Sequence, residues 1–218
     1  MMKVISDIRL YKSAEVDKYS GFTNKSLNVK LHRVVMKLRE QGFSLGEFDH
    51  LYLNFTTTIP DGKVELSDKI DRYHPWFRYC NVGVNQNDYN KLENNDFVYE
   101  RIKFTLLKLF DSQKDIEIIE NSFSEAQKGS EMLMLFKVKK SAKGIAKIYL
   151  RLLDNGNYFP LLSVIDINGK EIFKADLPET IDLNIIGELN LSSKNVTVKP
   201  RKNAFSKHLQ PISFDIKL

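Results

Sequence analysis

A change of hydrophobic period near Gly129 is the feature that most constrains the fold of this chain. Before it, the apolar residues of 113–128 recur at the three- and four-residue spacing of a helix. After it, apolar and polar residues alternate from Met132 onward, which is the period of a strand with one buried side. The pattern therefore predicts helices before Gly129 and a β-rich part after it.

Turn signals divide the β-rich part into successive strands. Asn155-Gly156 and Asn168-Gly169 supply the positive φ angles that two-residue hairpin turns require, and a further turn is expected over 141–144. The expected strands are 132–139, 145–153, 158–167 and 170–175, followed by short strands near 195–199 and 212–217. Strands joined by such short turns run antiparallel to their neighbours, so this pattern predicts an antiparallel meander.

The part before the boundary combines helices and strands. Asn24 or Ser26 can cap the first helix, Gly42 can end it, and Ser112 can cap the third. Helices are expected over 26–41, 97–110 and 113–128, strands over 3–12, 48–58 and 63–66, and a polar loop over 85–95. We predict an α+β fold with about three helices packed on a sheet in residues 1–129 and an antiparallel β-meander in residues 130–218, as two domains or one continuous domain.

Cysteine usage and hydropathy indicate the compartment. Cys80 is the single cysteine, so no internal disulfide can form and a reducing compartment is favoured. Residues 1–7 are charged early and predict no signal peptide. No run approaches eighteen consecutive apolar residues, so we expect no transmembrane helix and no membrane partner, and a cytoplasmic protein.

The sequence contains no linear motif for catalysis or for a cofactor. The glycines are isolated, so neither a phosphate-binding loop nor a dinucleotide fingerprint is present. The histidines lie far apart along the chain, and a thiolate zinc site is excluded because there is one cysteine. We therefore predict no catalytic residue, no metal site and no cofactor, and favour a non-catalytic protein.

Residues 72–80 combine two arginines and one histidine with four aromatic side chains. Tryptophan, tyrosine and arginine dominate the binding energy of protein interfaces, and the same residue types stack bases in single-strand binders. Pro75 places the segment in an edge strand or a loop. The expected partner-binding residues are Arg72, His74, Trp76 and Arg78, while a core role for the rings stays an alternative.

A second segment, 194–208, carries five lysines and arginines without an acidic residue. Arg201 and Lys202 are the expected docking residues within it. The first helix adds a basic face formed by Lys30, Arg33 and Lys37. If these two groups form one positive patch, the patch could bind a phosphate backbone, although a solvated lysine-rich loop is the plainer interpretation.

Three functional hypotheses follow. The first is a non-catalytic bacterial or phage protein that binds another protein, for example an immunity-, antitoxin- or defence-accessory-like factor. The second is a nucleic-acid-binding protein that uses the basic C-terminal loop and the first helix. The third is an enzyme with a motif-free site for an anionic substrate, formed by Arg72, His74 and Arg78 with Tyr79 or His50. The net charge of +5 does not separate them, the oligomeric state stays open, and we favour the protein partner.

Overall fold

The fold is α+β, as the sequence predicts. The computed structural model describes residues 3–15, 18–92 and 94–217, and the helices in these residues are α1 (Lys25–Glu40), α2 (Gln86–Asn90), α3 (Asn95–Leu109) and α4 (Gln113–Ala126). The chain divides into two compact units, Met1–Lys128 and Gly129–Leu218. None of the helices in the described ranges is both long and apolar enough to cross a membrane.

The first unit contains a five-stranded mixed sheet. The strands of this unit are β1 (Lys3–Val4), β2 (Asp7–Ser13), β3 (Ser20–Gly21), β4 (Ser44–Gly46), β5 (His50–Thr56), β6 (Val64–Leu66) and β7 (Phe77–Gly83). β1 and β4 form a separate two-stranded pair, and the other five strands form the mixed sheet. The order across the sheet is β3-β2-β5-β7-β6. The three central strands run parallel, and the two short outer strands pair antiparallel.

One face of this sheet forms the core with the long helices. Ile8, Leu51 and Leu53 are among its buried side chains, and α1 contacts both β2 and α4. The helix ends follow the sequence signals: Asn24 accepts a hydrogen bond from the Leu27 amide, and Gly42 has a φ of 70° where the chain leaves α1. Ser112 caps α4 in the same way.

Two predictions for this unit were wrong in detail. Residues 85–95 are not only a loop, because α2 forms there with Asn85 as its N-cap. Residues 77–83 form an interior strand rather than the expected edge strand or loop. Pro75 permits this because it lies before β7 begins and removes no hydrogen bond from its ladder.

The second unit contains the predicted meander. Its strands are β8 (Met134–Ser141), β9 (Gly144–Leu150), β10 (Leu161–Asp166), β11 (Glu171–Asp176), β12 (Glu188–Leu191), β13 (Asn195–Lys199) and β14 (Ile212–Asp215). The first four lie in the order β11-β10-β9-β8, and the last three form a separate antiparallel sheet. Gly156 and Gly169 adopt φ values of 90° and 84° in the expected turns. The rings of Phe173 and Phe214 lie 5.2 Å apart and join the two sheets.

Candidate partner-binding surface

The second face of the five-stranded sheet carries aromatic and polar side chains. The parallel register places Arg9, Tyr52 and Tyr79 side by side on β2, β5 and β7. The neighbouring rows on the same face are Asp7, His50 and Phe77 on one side and Tyr11, Asn54 and Asn81 on the other. Residues up to 70 positions apart in the sequence thus converge, because parallel strands keep equivalent side chains on one face.

Five rings form a continuous cluster on this face. Tyr52 stacks on Phe77 with 4.5 Å between ring centroids, and Tyr19 stacks on Tyr79 at the same distance. Tyr11 lies 5.5 Å from Tyr52 and 5.7 Å from Tyr79. Each such pair adds about 0.5–1.5 kcal/mol beyond the area that it buries. We call these five side chains the aromatic face.

The aromatic face retains polar groups for a ligand. Among the described residues, the hydroxyls of Tyr11, Tyr52 and Tyr79 have no hydrogen-bond partner. Burial raises the pKa of Tyr52 and of Tyr79, so both hydroxyls stay protonated and can donate at neutral pH. Arg9 lies 5.4 Å from the centre of the Tyr52 ring and 2.9 Å from a carboxylate oxygen of Asp7. The charges on this face are therefore balanced.

A buried amide fixes the end of the face. The Asn54 side chain is 2% exposed, and its Nδ2 donates to Ser13 Oγ and to Asn81 Oδ1, both at 2.9 Å. These bonds tie β2, β5 and β7 together. Its Oδ1 accepts no hydrogen bond from a described residue, which makes it the one buried side-chain acceptor of the described residues that is left unpaired.

The loop of residues 67–76 borders the aromatic face and is held by Asp71. Asp71 Oδ1 accepts hydrogen bonds from the amides of Tyr73 and His74, both at 2.8 Å, and lies 3.3 Å from His74 Nδ1. The hydrogen bonds from these two amides are the main cause of the lowered pKa of the Asp71 carboxyl, and the His74 imidazole lowers it to a smaller extent. The turn is therefore fixed by a local side-chain bond rather than by burial.

Aromatic contacts connect the 67–76 loop to the sheet. The His74 ring lies 4.8 Å from the Trp76 ring and 6.3 Å from that of Phe77, which belongs to the aromatic face. The large apolar side chains that this loop exposes are Ile70 at 57%, Tyr73 at 79% and Trp76 at 39%. Between the loop and the face lies a cleft of about 300 Å³, whose lining includes Ser67, Asp71, Tyr79 and Asn81.

Three of the four expected residues of this segment share the surface, and the fourth does not. Arg72, His74 and Trp76 are exposed on the loop, and Arg72 has no ion pair among the described residues. Arg78 is 8% exposed and alternates onto the helix-covered side of β7. Its Nη1 donates to the carbonyls of Pro75 and Phe77, so it holds the base of the loop.

Sequence reasoning missed most of the aromatic face. Tyr11, Tyr19 and Tyr52 lie outside residues 72–80, and so does Asp71. The available signal was the alternation of β5, which already placed Tyr52 opposite its apolar neighbours. The pairing of β5 with β2 and β7 could not be derived from that alternation.

The arrangement needed by the enzyme hypothesis is not formed by the described residues. Arg78 and Tyr79 point to opposite faces of β7, and His50 Nδ1 lies 2.6 Å from Asp49 Oδ1. Burial raises the pKa of the Cys80 thiol to about 12, which keeps it protonated and unreactive. In residues 3–15, 18–92 and 94–217, no group of three potential ligands could hold a metal ion.

The second unit carries the other two expected residues. Arg201 and Lys202 are exposed beside a groove of about 670 Å³, next to a short turn whose Phe205 is 77% exposed. The predicted basic face of the first helix was wrong, because Arg33 and Lys37 are 3% and 8% exposed. Lys37 also forms an ion pair with Glu40.

Comparisons with models of known families, with curated proteins and with solved structures found no match to this chain. No relative therefore supplies a function for either surface.

Proposed function

We propose that this chain is a non-catalytic protein that binds a protein partner through the aromatic face and the 67–76 loop. The observation that carries the proposal is the concentration of exposed apolar side chains. Of the twelve large ones exposed in the described residues, four belong to this surface: Tyr19, Ile70, Tyr73 and Trp76. Clustered exposure of this kind marks an interaction site, whereas single exposed apolar residues are ordinary.

The charge of the surface favours a protein over a phosphate backbone. The loop carries Asp68 and Asp71 against Lys69 and Arg72, so it has no excess of positive charge to release counterions from nucleic acid. Aromatic rings with free hydroxyls beside exposed arginine and tryptophan match the residue types that anchor protein interfaces. An immunity- or antitoxin-like protein of bacterial or phage origin, which neutralises a toxin by binding it, is the specific form of this proposal.

The test compares three versions of the full chain as affinity baits in native cells. Wild type and Ile167→Ala should retain the same stoichiometric protein partner, and Trp76→Ala should lose it. Ile167 is the matched control because it is 73% exposed but lies in the β10–β11 turn of the second unit. With the purified partner, calorimetry should show that Trp76→Ala weakens binding by roughly 30-fold, the size of an interface hot spot. A partner held equally by all three baits, or no partner at all, contradicts the proposal.

Nucleic-acid binding by the second unit is a second candidate function. Arg201, Lys202 and Lys207 have no ion pair among the described residues and line the groove beside the exposed Phe205. Cations with an exposed ring are the elements of single-strand binding. This nucleic-acid-binding surface does not include the first helix, because Arg33 and Lys37 are buried. It predicts a gel shift of short single-stranded DNA or RNA that Arg201→Ala/Lys202→Ala abolishes; no shift at low salt removes it.

A further inference from the structure

The outer edge of β2 is paired over only part of its length. On its inner side β2 pairs with β5 along all seven residues, from Asp7 to Ser13. On its outer side β3 pairs only with Tyr11 and Lys12. The chain then leaves the edge, because Asn24 caps α1 three residues after β3 ends.

Backbone alternation identifies which groups are left. The Leu10 carbonyl accepts a hydrogen bond from the Phe22 amide at 3.2 Å, so the peptide groups of Leu10 face outward. Strand geometry then directs the N–H and C=O of Ile8 to the same side. The Ile8 N–H, the Ile8 C=O and the Leu10 N–H have no partner among the described residues.

A cavity of about 370 Å³ lies against this edge. The strand residues 7–11 form one wall, and Phe22, Asn28 and Leu31 contribute to the others. The volume lies within the range of about 300–1,000 Å³ that is typical of ligand sites. The unpaired backbone groups therefore border a space that another chain segment can enter.

We propose that the β2 edge binds a short extended peptide segment by strand addition. The donor–acceptor–donor series from Ile8 to Leu10 has the spacing of a strand, so extended backbone is the ligand that satisfies all three groups. Side chains of the added strand alternate between the two sides of the sheet. On the α1 side they meet Leu31 and Phe22, and on the other side Arg9, so the bound segment alternates apolar with polar residues.

This site adjoins the aromatic face, because Arg9 and Tyr11 line its cavity, but it does not rest on the proposed function, because it binds through the main-chain groups of the β2 edge rather than through the rings and the 67–76 loop. The probe is a phage-displayed library of random dodecapeptides, panned on the immobilised full chain. Selected peptides should show the alternating pattern. Binding of a synthetic copy should fall at least about tenfold in Ile8→Pro, which deletes one outward donor, and should persist in Ile8→Val, which keeps it.

Trp76→Ala separates the two proposals, since it should leave peptide binding unchanged even where it abolishes the protein complex. Amide exchange on the wild type keeps the test decisive if Ile8→Pro does not fold. In the free protein the Ile8 and Leu10 amides should exchange faster than those of Arg9 and Tyr11, and the peptide should protect them. Failure to select any peptide, or selected peptides that neither protect these amides nor respond to Ile8→Pro, would overturn the proposal.

Discussion

Gly83 ends β7 at a point where another part of the backbone leaves no room for a side chain. A Cβ built there would lie 1.9 Å from the carbonyl oxygen of Pro60. Gly83→Ala should therefore lower the free energy of unfolding by about 2 kcal/mol, because the turn at 60–62 has to move. Urea denaturation measures this loss. Gly21→Ala is the control, since nothing lies within 4 Å of its Cβ; equal stability of the two variants would contradict the packing.

Cys80 is fully buried in β7. Its thiol should resist Ellman's reagent in the native protein, because burial raises its pKa to about 12 and reaction requires the thiolate. It should react stoichiometrically in concentrated guanidinium chloride. Rapid reaction under native conditions would show that this strand opens.

At the residue scale, the sequence shows where residue types typical of an interface are concentrated, but it does not show which way each side chain points. The composition of residues 72–80 singles out Trp76 as a residue type common in interfaces, and the structure places it on the loop at 39% exposure. Arg78 stands two residues later, and its direction depends on where β7 begins. Pro75 indicates a loop or an edge strand, which leaves the direction of Arg78 undefined, whereas the alternation of the interior strand β7 places Arg78 on the side opposite Phe77 and Tyr79.

At the element scale, the turn at Asp71 determines how the 67–76 loop is presented. Asp71→Ala removes the acceptor of the Tyr73 and His74 amides, so these amides should exchange faster and the partner should bind several-fold more weakly. Asp71→Asn is the matched control because it keeps an acceptor oxygen. Equal exchange in both variants would show that the loop does not need this bond.

The same carboxylate gives the loop a defined pH response. A carboxyl whose pKa is lowered in the folded state stabilises that state above its unfolded pKa, about 3.9 for aspartate. Its contribution is lost as the pH falls through the lowered value of the folded protein. The exchange pattern of the Tyr73 and His74 amides should therefore stay constant from neutral pH down to about pH 4 once corrected for intrinsic exchange rates. NMR-detected exchange across this range checks the sign.

Local elements were predictable where local signals define them. The meander follows from its Asn-Gly turns, yet a bulge between Leu135 and Lys137 shifts the register of β8 and leaves Val138 41% exposed, against the alternation of the sequence. The order of the five-stranded sheet was beyond sequence reasoning, since β2 and β5 are parallel and more than 35 residues separate them. The aromatic face depends on that long-range register and could not be found without it.

At the scale of the whole molecule, the charge distribution distinguishes the two candidate functions. A complex formed through the aromatic face should change its Kd by less than about fivefold between roughly 50 and 200 mM salt, because the loop has balanced charge. Nucleic acid held by six or more phosphate contacts would lose about 10³-fold over the same range. Titrations at both salt concentrations check this, and a steep loss for the protein complex would count against the aromatic face.

Trp76 is the single tryptophan of the chain, and it lies on the 67–76 loop at 39% exposure. Fluorescence excited at a wavelength that only indole absorbs therefore reports on this loop and on no other part of the protein. A partner that covers it will shift the emission to shorter wavelength. The protein thus carries an intrinsic fluorophore at its candidate interface, and complex formation can be followed without a label.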